Sequence, residues 1–312
     1  NIKALIETGE EVGSIGLREI CEANKDRLSA DVFIASDGPR IAPARPTVFM
    51  GSRGAFNFTM SVDLREGGHH SGNWGGLLAN PGIILAHAIA AITSSTGEIK
   101  VPQWRPDEIP GSVQDVLGEL TIDQDENSPD IDPHWGEPGL TPPEQVFGWN
   151  SFEVLAFETG NPQSPANAIP PKAFAHCQVR FVVPTDPEQL LPALREFFDE
   201  RGFSNVVLSA QGKAARATRL EPDHPWVKWV IASIETTTGK EVAVIPNLGG
   251  TLPNDVFAEV LGLPTIWVPH SYSGCSQHAA DEHLLGSVSR EALQIMTGLW
   301  WDLGEMELPV GH

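Results

Sequence analysis

Ile2-Lys3-Ala4-Leu5-Ile6 leads into Gly9-Glu10-Glu11-Val12-Gly13-Ser14, an apolar run that delivers two adjacent carboxylates. The run predicts a buried strand, with Glu10 and Glu11 at its end. Neighbouring side chains at a strand end point in different directions. One carboxylate can then hold a metal while the other takes a proton from water. The same pair at the start of a helix needs no chemistry to explain it, because the helix dipole favours negative charge there.

Outward from this stretch, Ser14 is placed to cap a helix with Leu17, Ile20 and Cys21 on one face. Asp31-Val32-Phe33-Ile34-Ala35-Ser36-Asp37 follows as an apolar strand ending in a carboxylate. Continuous apolar strands separated by helices predict a parallel α/β sheet covered on both faces. Its functional groups belong at the carboxyl ends of the strands, where Glu10, Glu11 and Asp37 fall. The Pro-rich run Pro39 to Pro46 reads as a hinge.

Beyond it the pattern changes. Phe56, Phe58, Met60 and Val62 alternate with polar residues, as one face of a half-buried sheet requires. A helix is expected over 81–92 and strands over 151–159 and 172–183. A second helix is opened by Asp186-Pro187, and a further strand covers 204–209. This β-α-β-β-α-β order is the ferredoxin-like split unit. Residues 97–148, rich in Pro, Asp, Glu and Gly, read as an acidic excursion with short helical pieces. After Gly212 the α/β character resumes, with helices at about 225–238, 254–261 and 289–303 and strands at 241–245 and 264–269. The expected organisation is an α/β domain in two parts, 1–44 and 213–312, interrupted by an inserted α+β domain over 45–212.

Composition narrows the function classes. The 312 residues carry 41 acidic and 20 basic side chains, a formal net charge of −21. Nucleic acid and anionic membrane surfaces both demand a positive face, so neither is an expected partner. No apolar stretch approaches the roughly 18 residues of a membrane span. Cys21, Cys177 and Cys275 have no metal-type spacing and leave an odd thiol, which fits a reducing cytoplasm.

Pro269 to His283, reading PHSYSGCSQHAADEH, sets His278 a few residues beyond the strand expected at 264–269. An isolated loop His is usually structural, but Glu11, Asp37 and His278 could converge at one sheet edge. Imidazole mixed with carboxylate is a donor set that zinc or a comparable divalent ion selects. Cys275 lies close by, yet no oxyanion motif accompanies it as a nucleophile.

The chain here resembles the co-catalytic di-metal hydrolases: carnosinase-type dipeptidases, aminoacylase, acetylornithine deacetylase, succinyl-diaminopimelate desuccinylase and glutamate carboxypeptidases. Five segments match in order: Glu10-Glu11 with Gly13-Ser14; Ser36-Asp37; His70-Ser71-Gly72 with Gly75-Gly76; Asn167-Ala168-Ile169-Pro170 with Arg180; and His278 with Asp281-Glu282. The resemblance implies a zinc-exopeptidase-like α/β sheet with helices on both faces, incomplete here, interrupted by the ferredoxin-like lid and dimerisation domain. It implies Glu10 as general acid/base, with Glu11, Asp37 and His278 as metal ligands. His70 would reach into a partner subunit's site, although the adjacent His69 competes for that role. Asn167 and Arg180 would bind the substrate's carboxylate end, and Gly250 and Thr251, in the Gly249-Gly250-Thr251 turn, would contact substrate. Two divalent ions are implied, zinc or else manganese or cobalt, together with a homodimer formed through the insert.

The family's upstream His-x-Asp motif and bridging Asp have no counterpart here, so the sequence is expected to be part of a longer polypeptide. The activity implied is hydrolysis of the amide bond of a dipeptide or an N-acyl amino acid. The alternative is a metal-poor, non-catalytic relative whose insert serves dimerisation or peptide binding.

Overall fold

The computed structural model describes residues 1–122 and 129–309. Residues 123–128, inside the acidic 97–148 segment, lie outside the described residues. The strands of the two main sheets are β1 (Phe33–Ala35), β2 (Thr47–Phe49), β3 (Gly54–Asp63), β4 (Ser151–Thr159), β5 (Lys172–Phe181), β6 (Val207–Ala210), β7 (Ala243–Ile245) and β8 (Thr265–Trp267).

The first sheet runs β1-β8-β2-β7. β1 pairs parallel with β8, setting Phe33 opposite Thr265, and β7 pairs parallel with β2. β8 and β2 are antiparallel, meeting at Trp267 and Phe49. The sheet is therefore mixed rather than all-parallel. Apolar runs report burial on both faces, and they carry no information about strand direction.

The burial itself is as the runs require. Val48, Met50, Ile266 and Val268 pack on Trp226, Val230, Ile234, Ile295 and Leu299 of the helices Pro225–Thr238 and Gly286–Glu305. On the opposite face Phe49, Ala243, Ile245 and Trp267 meet Leu17 and Cys21 of the helix Leu17–Ala23, and Val256 and Phe257 of the π-helical turn Val256–Val260.

Three local expectations are corrected. Ile2 to Ile6 is not a strand: Ile6 is 87% exposed, and no described strand lies beside it to take its backbone groups. Glu10–Val12 is instead a single 3-10 turn closed by Gly13 at φ 86°. Ser14 does not cap the following helix. It sits at φ 49°, and Gly16 in the left-handed region precedes Leu17. Nor is Pro39 to Pro46 a hinge, because Pro39–Arg40 pairs with Ser271–Tyr272 and the Arg40 side chain is fully buried.

Arg40 donates to the carbonyls of Pro269 and Pro43 and to the Glu291 carboxylate, which also accepts from Lys240. Burial works to raise the Glu291 carboxyl, but the hydrogen bonds from Lys240 and Arg40 outweigh it and hold it below its ordinary range. A carboxyl depressed in the fold adds stability above its unfolded pKa and loses it as pH falls through the folded value. Glu291→Gln is expected to cost about 3 kcal/mol near neutral pH, because Arg40 stays buried without its counter-charge. The gap to the parent should close in thermal melts as pH falls through the depressed folded value of the Glu291 carboxyl, where the parent too becomes protonated. A gap independent of pH would exclude the ion pair as its cause.

The second sheet is antiparallel, ordered β6-β3-β5-β4, with the helices Pro81–Ile92 and Leu190–Asp199 packed on it. The chain order β3-helix-β4-β5-helix-β6 is the split unit expected from the sequence. Asn80 accepts from the backbone N–H groups of Gly82 and Ile83, and Pro81 supplies the first helical position. Asp186 accepts from Glu188 N in the same way. Phe58, Met60, Leu85, Trp104, Val179, Phe181, Leu194 and Phe198 fill the space between sheet and helices. β4 lies at the sheet edge, with Val154, Leu155 and Phe157 exposed and a bulge between Val154 and Ala156.

Candidate metal and substrate site

Three loops of the α/β layer bring an acidic cluster together. The Glu10–Val12 turn carries Glu10 and Glu11, the loop after β1 carries Asp37, and the loop after β8 carries His278. His278 Nε2 lies 3.1 Å from Glu11 Oε2, with the side chains 66% and 72% exposed. The Glu10 carboxyl is raised above its ordinary value by burial and then by the charges of Asp37, Glu11 and Glu7, against the opposing pull of His278. Asp37, Glu11 and His278 therefore all lie near enough to act on Glu10. His278 holds φ 60° and Asp281 φ 62°, left-handed positions that cost a non-glycine residue on the order of 1 kcal/mol.

The cluster is not closed into a cage. Among the described residues no three His, Cys, Asp or Glu side chains are arranged to hold a metal ion. Asp37 Oδ1 instead accepts from the Gly38 N–H. The donor chemistry nonetheless fits a divalent cation, with an imidazole and a carboxylate in contact and the Glu10 carboxyl raised by burial and by the carboxylates around it.

A second group of expected residues meets on the antiparallel layer. His69–His70 pairs with Ala168–Ile169, and Ser71 donates to the Asn167 carbonyl from both N (2.9 Å) and Oγ (3.0 Å). The two histidines differ in setting. His69 is half-buried and sets its ring edge against Trp74, whereas His70 is exposed. No hydrogen bond or ion pair among the described residues joins this pair to the acidic cluster.

Arg180 on β5 donates from Nε to Gln178 Oε1 and from Nη1 to Thr251 Oγ1 at 2.7 Å. Thr251 Oγ1 in turn donates to the Arg53 carbonyl, and Arg53 Nε donates to Gly249 O. Burial lowers the Arg180 guanidinium. Burial and the nearby charge of Arg180 push Arg53 down to about 10, against the raising pull of Glu153. At Gly250, an expected contact, a Cβ would meet Leu248 Cδ2 at an ordinary 3.6 Å. The neighbouring Gly249 has no such room, since a Cβ there would meet Val146 Cγ1 at 2.9 Å.

Arg53 went unnoticed in the sequence. Its signal was a charge between Ser52 and Gly54 at the point where the chain leaves the first sheet for the second.

Residues 50–217, just over half of the chain, match the peptidase dimerisation domain, M20_dimer. The chain belongs to that family. This M20-type chain is 24% identical over 304 residues to the human Beta-Ala-His dipeptidase, covering 91% of the chain and 58% of the relative. It is 25% identical over 272 residues to the cysteinylglycine-S-conjugate dipeptidase of Corynebacterium striatum, covering 81% and 55%. It therefore spans little more than half the length of either relative. The M20 family metallo-carboxypeptidase Sso-CP2 of Sulfolobus solfataricus shares its fold with a TM-score of 0.76 at 22% identity, covering 93% of this chain and 67% of that one. Human carnosine dipeptidase 1 follows at 0.71 and 20% identity, covering 96% and 66%. No helix among the described residues is long and apolar enough to cross a membrane.

Proposed function

We propose that the protein is a metal-dependent hydrolase that cleaves the amide bond of a dipeptide or N-acyl amino acid. The reading rests on the convergence of Glu10, Glu11, Asp37 and His278 at one edge of the α/β layer. Glu11, Asp37 and His278 would hold divalent metal, two ions in the complete site, with zinc the first choice and manganese or cobalt as alternatives. Such a metal supplies a water whose pKa is lowered from about 15.7 toward about 7.

Glu10 removes the proton of the attacking water and returns it to the leaving amine. A carboxyl already raised by burial and by its acidic neighbours suits both halves of that task. Arg180, steadied by Thr251, and Asn167 receive the substrate's free carboxylate. His70, exposed on its short ladder, serves the site of a partner subunit as a donor to the developing oxyanion, worth roughly 3 kcal/mol.

The partner is a second copy. β4 presents an unpaired edge with Val154, Leu155 and Phe157 exposed, which a symmetry-related β4 would cover. The three buried free thiols fit a cytoplasmic setting.

The test is hydrolysis of β-alanyl-histidine, cysteinyl-glycine and N-acetyl amino acids by the metal-loaded full protein. Activity should vanish with a chelator, return with zinc, manganese or cobalt, and accompany a dimer in solution. A metal-loaded dimer that cleaves none of these substrates would leave a non-catalytic dimerisation or peptide-binding protein.

A further inference from the structure

A cleft of about 230 Å³ opens beside Arg53, between the start of β4 and the 97–148 excursion. Two buried polar atoms of its lining have no hydrogen-bond partner. Arg53 spends only Nε, on Gly249 O, and its Nη1 and Nη2 make no hydrogen bond among the described residues. The indole Nε1 of Trp149, a residue more than nine-tenths buried, has no partner, and neither has the buried Oε2 of Glu137. Gln145 gives Nε2 to the carbonyls of Trp135 and Glu137 and keeps Oε1 free. Glu153 faces Arg53 closely enough for each charge to act on the other, yet no ion pair closes between them.

Trp149 Nε1 and Glu137 Oε2, buried and left open, are expected to have partners. The charged side chains of the lining come in both signs. Arg53 balances Glu153, and Glu137 is already neutralised by Arg105, so the cleft matches a molecule with no net charge that carries a cation and an anion of its own. The volume is below the roughly 300–1,000 Å³ of pockets that take drug-sized ligands, which suits one amino acid better than a peptide. Trp135 and Trp149 provide aromatic walls for a side chain.

We propose that this cleft binds a single zwitterionic α-amino acid with an apolar side chain, its carboxylate on Arg53 and its ammonium on Glu153. The site shares no lining residue with the acidic cluster, and Arg180 is not part of it.

Isothermal titration calorimetry of the full protein with L-phenylalanine tests the proposal without reference to turnover. Its failure is thus distinguishable from failure of the hydrolase reading. Binding is expected to weaken by at least about tenfold in Arg53→Gln and in Glu153→Gln. The same loss is expected for the parent protein with 3-phenylpropionate, which lacks the ammonium, and with phenethylamine, which lacks the carboxylate. Arg180→Met should bind L-phenylalanine as the parent does. Glu153 is exposed at the start of an edge strand, so its variant keeps the fold, as circular dichroism can verify. No heat of binding in the parent, or binding lost in Arg180→Met and kept in Glu153→Gln, would overturn the assignment.

Discussion

Glu10→Gln is expected to lower amide hydrolysis by about 10²- to 10⁴-fold, the range that a positioned general acid/base contributes. Bound metal should be unchanged. The geometry separates the two effects. His278 contacts Glu11 and not Glu10, so the imidazole–carboxylate contact survives the exchange. Gln keeps the size of the side chain while removing its capacity to carry a proton. It also relieves repulsion, since the Glu10 carboxyl is raised in part by Asp37, Glu11 and Glu7. Metal affinity therefore has no reason to collapse. His278→Ala is expected to do the opposite and lower metal occupancy directly. Steady-state assays paired with elemental analysis decide between the roles. Glu10→Gln protein with full metal and more than about a tenth of parental turnover would remove Glu10 from the chemistry.

How much of this was legible before the fold was known depended on how local each signal is. The helices Pro81–Ile92 and Pro225–Thr238 match their sequence-derived bounds because their start signals act within one turn: Asn80 with Pro81, and Pro225 at the first position. β4 and β5 were readable from their patterning, and with the two helices they imply the split unit. The direction of β2 against β8 was not readable, since each strand is apolar on both faces whichever way it runs. Pro39 to Pro46 looks mobile by composition alone, but Arg40 is tied to Glu291, far along the chain, and no local pattern announces that partner.

The candidate site divides in the same way. Glu10, Glu11, Asp37 and His278 stand out in the sequence as carboxylates and an imidazole beyond apolar runs and by motif resemblance, whereas the approach of their three separate loops has no local signal. Arg53 acquires its meaning only from Gly249, Thr251 and Arg180, all distant in sequence.

The largest stability effect is expected at Asn254, which is fully buried where three elements meet. Its Nδ2 donates to Thr218 Oγ1 at 2.8 Å and to Thr265 Oγ1 at 3.0 Å, and its Oδ1 accepts from Trp267 Nε1 at 2.7 Å. Asn254→Leu keeps the branched shape of the side chain, with bulkier methyl ends, and removes all three bonds. It strands the Trp267 indole N–H in the core, where an unsatisfied donor costs about 1–3 kcal/mol, and leaves two threonine hydroxyls short of a partner. A total of about 3–5 kcal/mol is expected in urea unfolding, a large part of the roughly 5–15 kcal/mol that holds a typical domain. Packing loss can be told from hydrogen-bond loss with a second substitution. Trp267 stacks on Phe49 with ring centroids 5.8 Å apart, and a phenylalanine at position 267 would keep an aromatic ring there without the indole N–H. Asn254→Leu combined with Trp267→Phe should therefore cost less than the two single changes added together, because neither partner remains to be left unpaired. Strict additivity would mean that Asn254 acts through its shape alone. The consequence extends beyond the core: Leu252 N donates to Ser52 Oγ, and Ser52 Oγ donates to Leu252 O. The segment that presents Thr251 to Arg180 is thus pinned between that pair and Asn254, and loosening Asn254 should weaken the hold on a substrate carboxylate before it unfolds the protein.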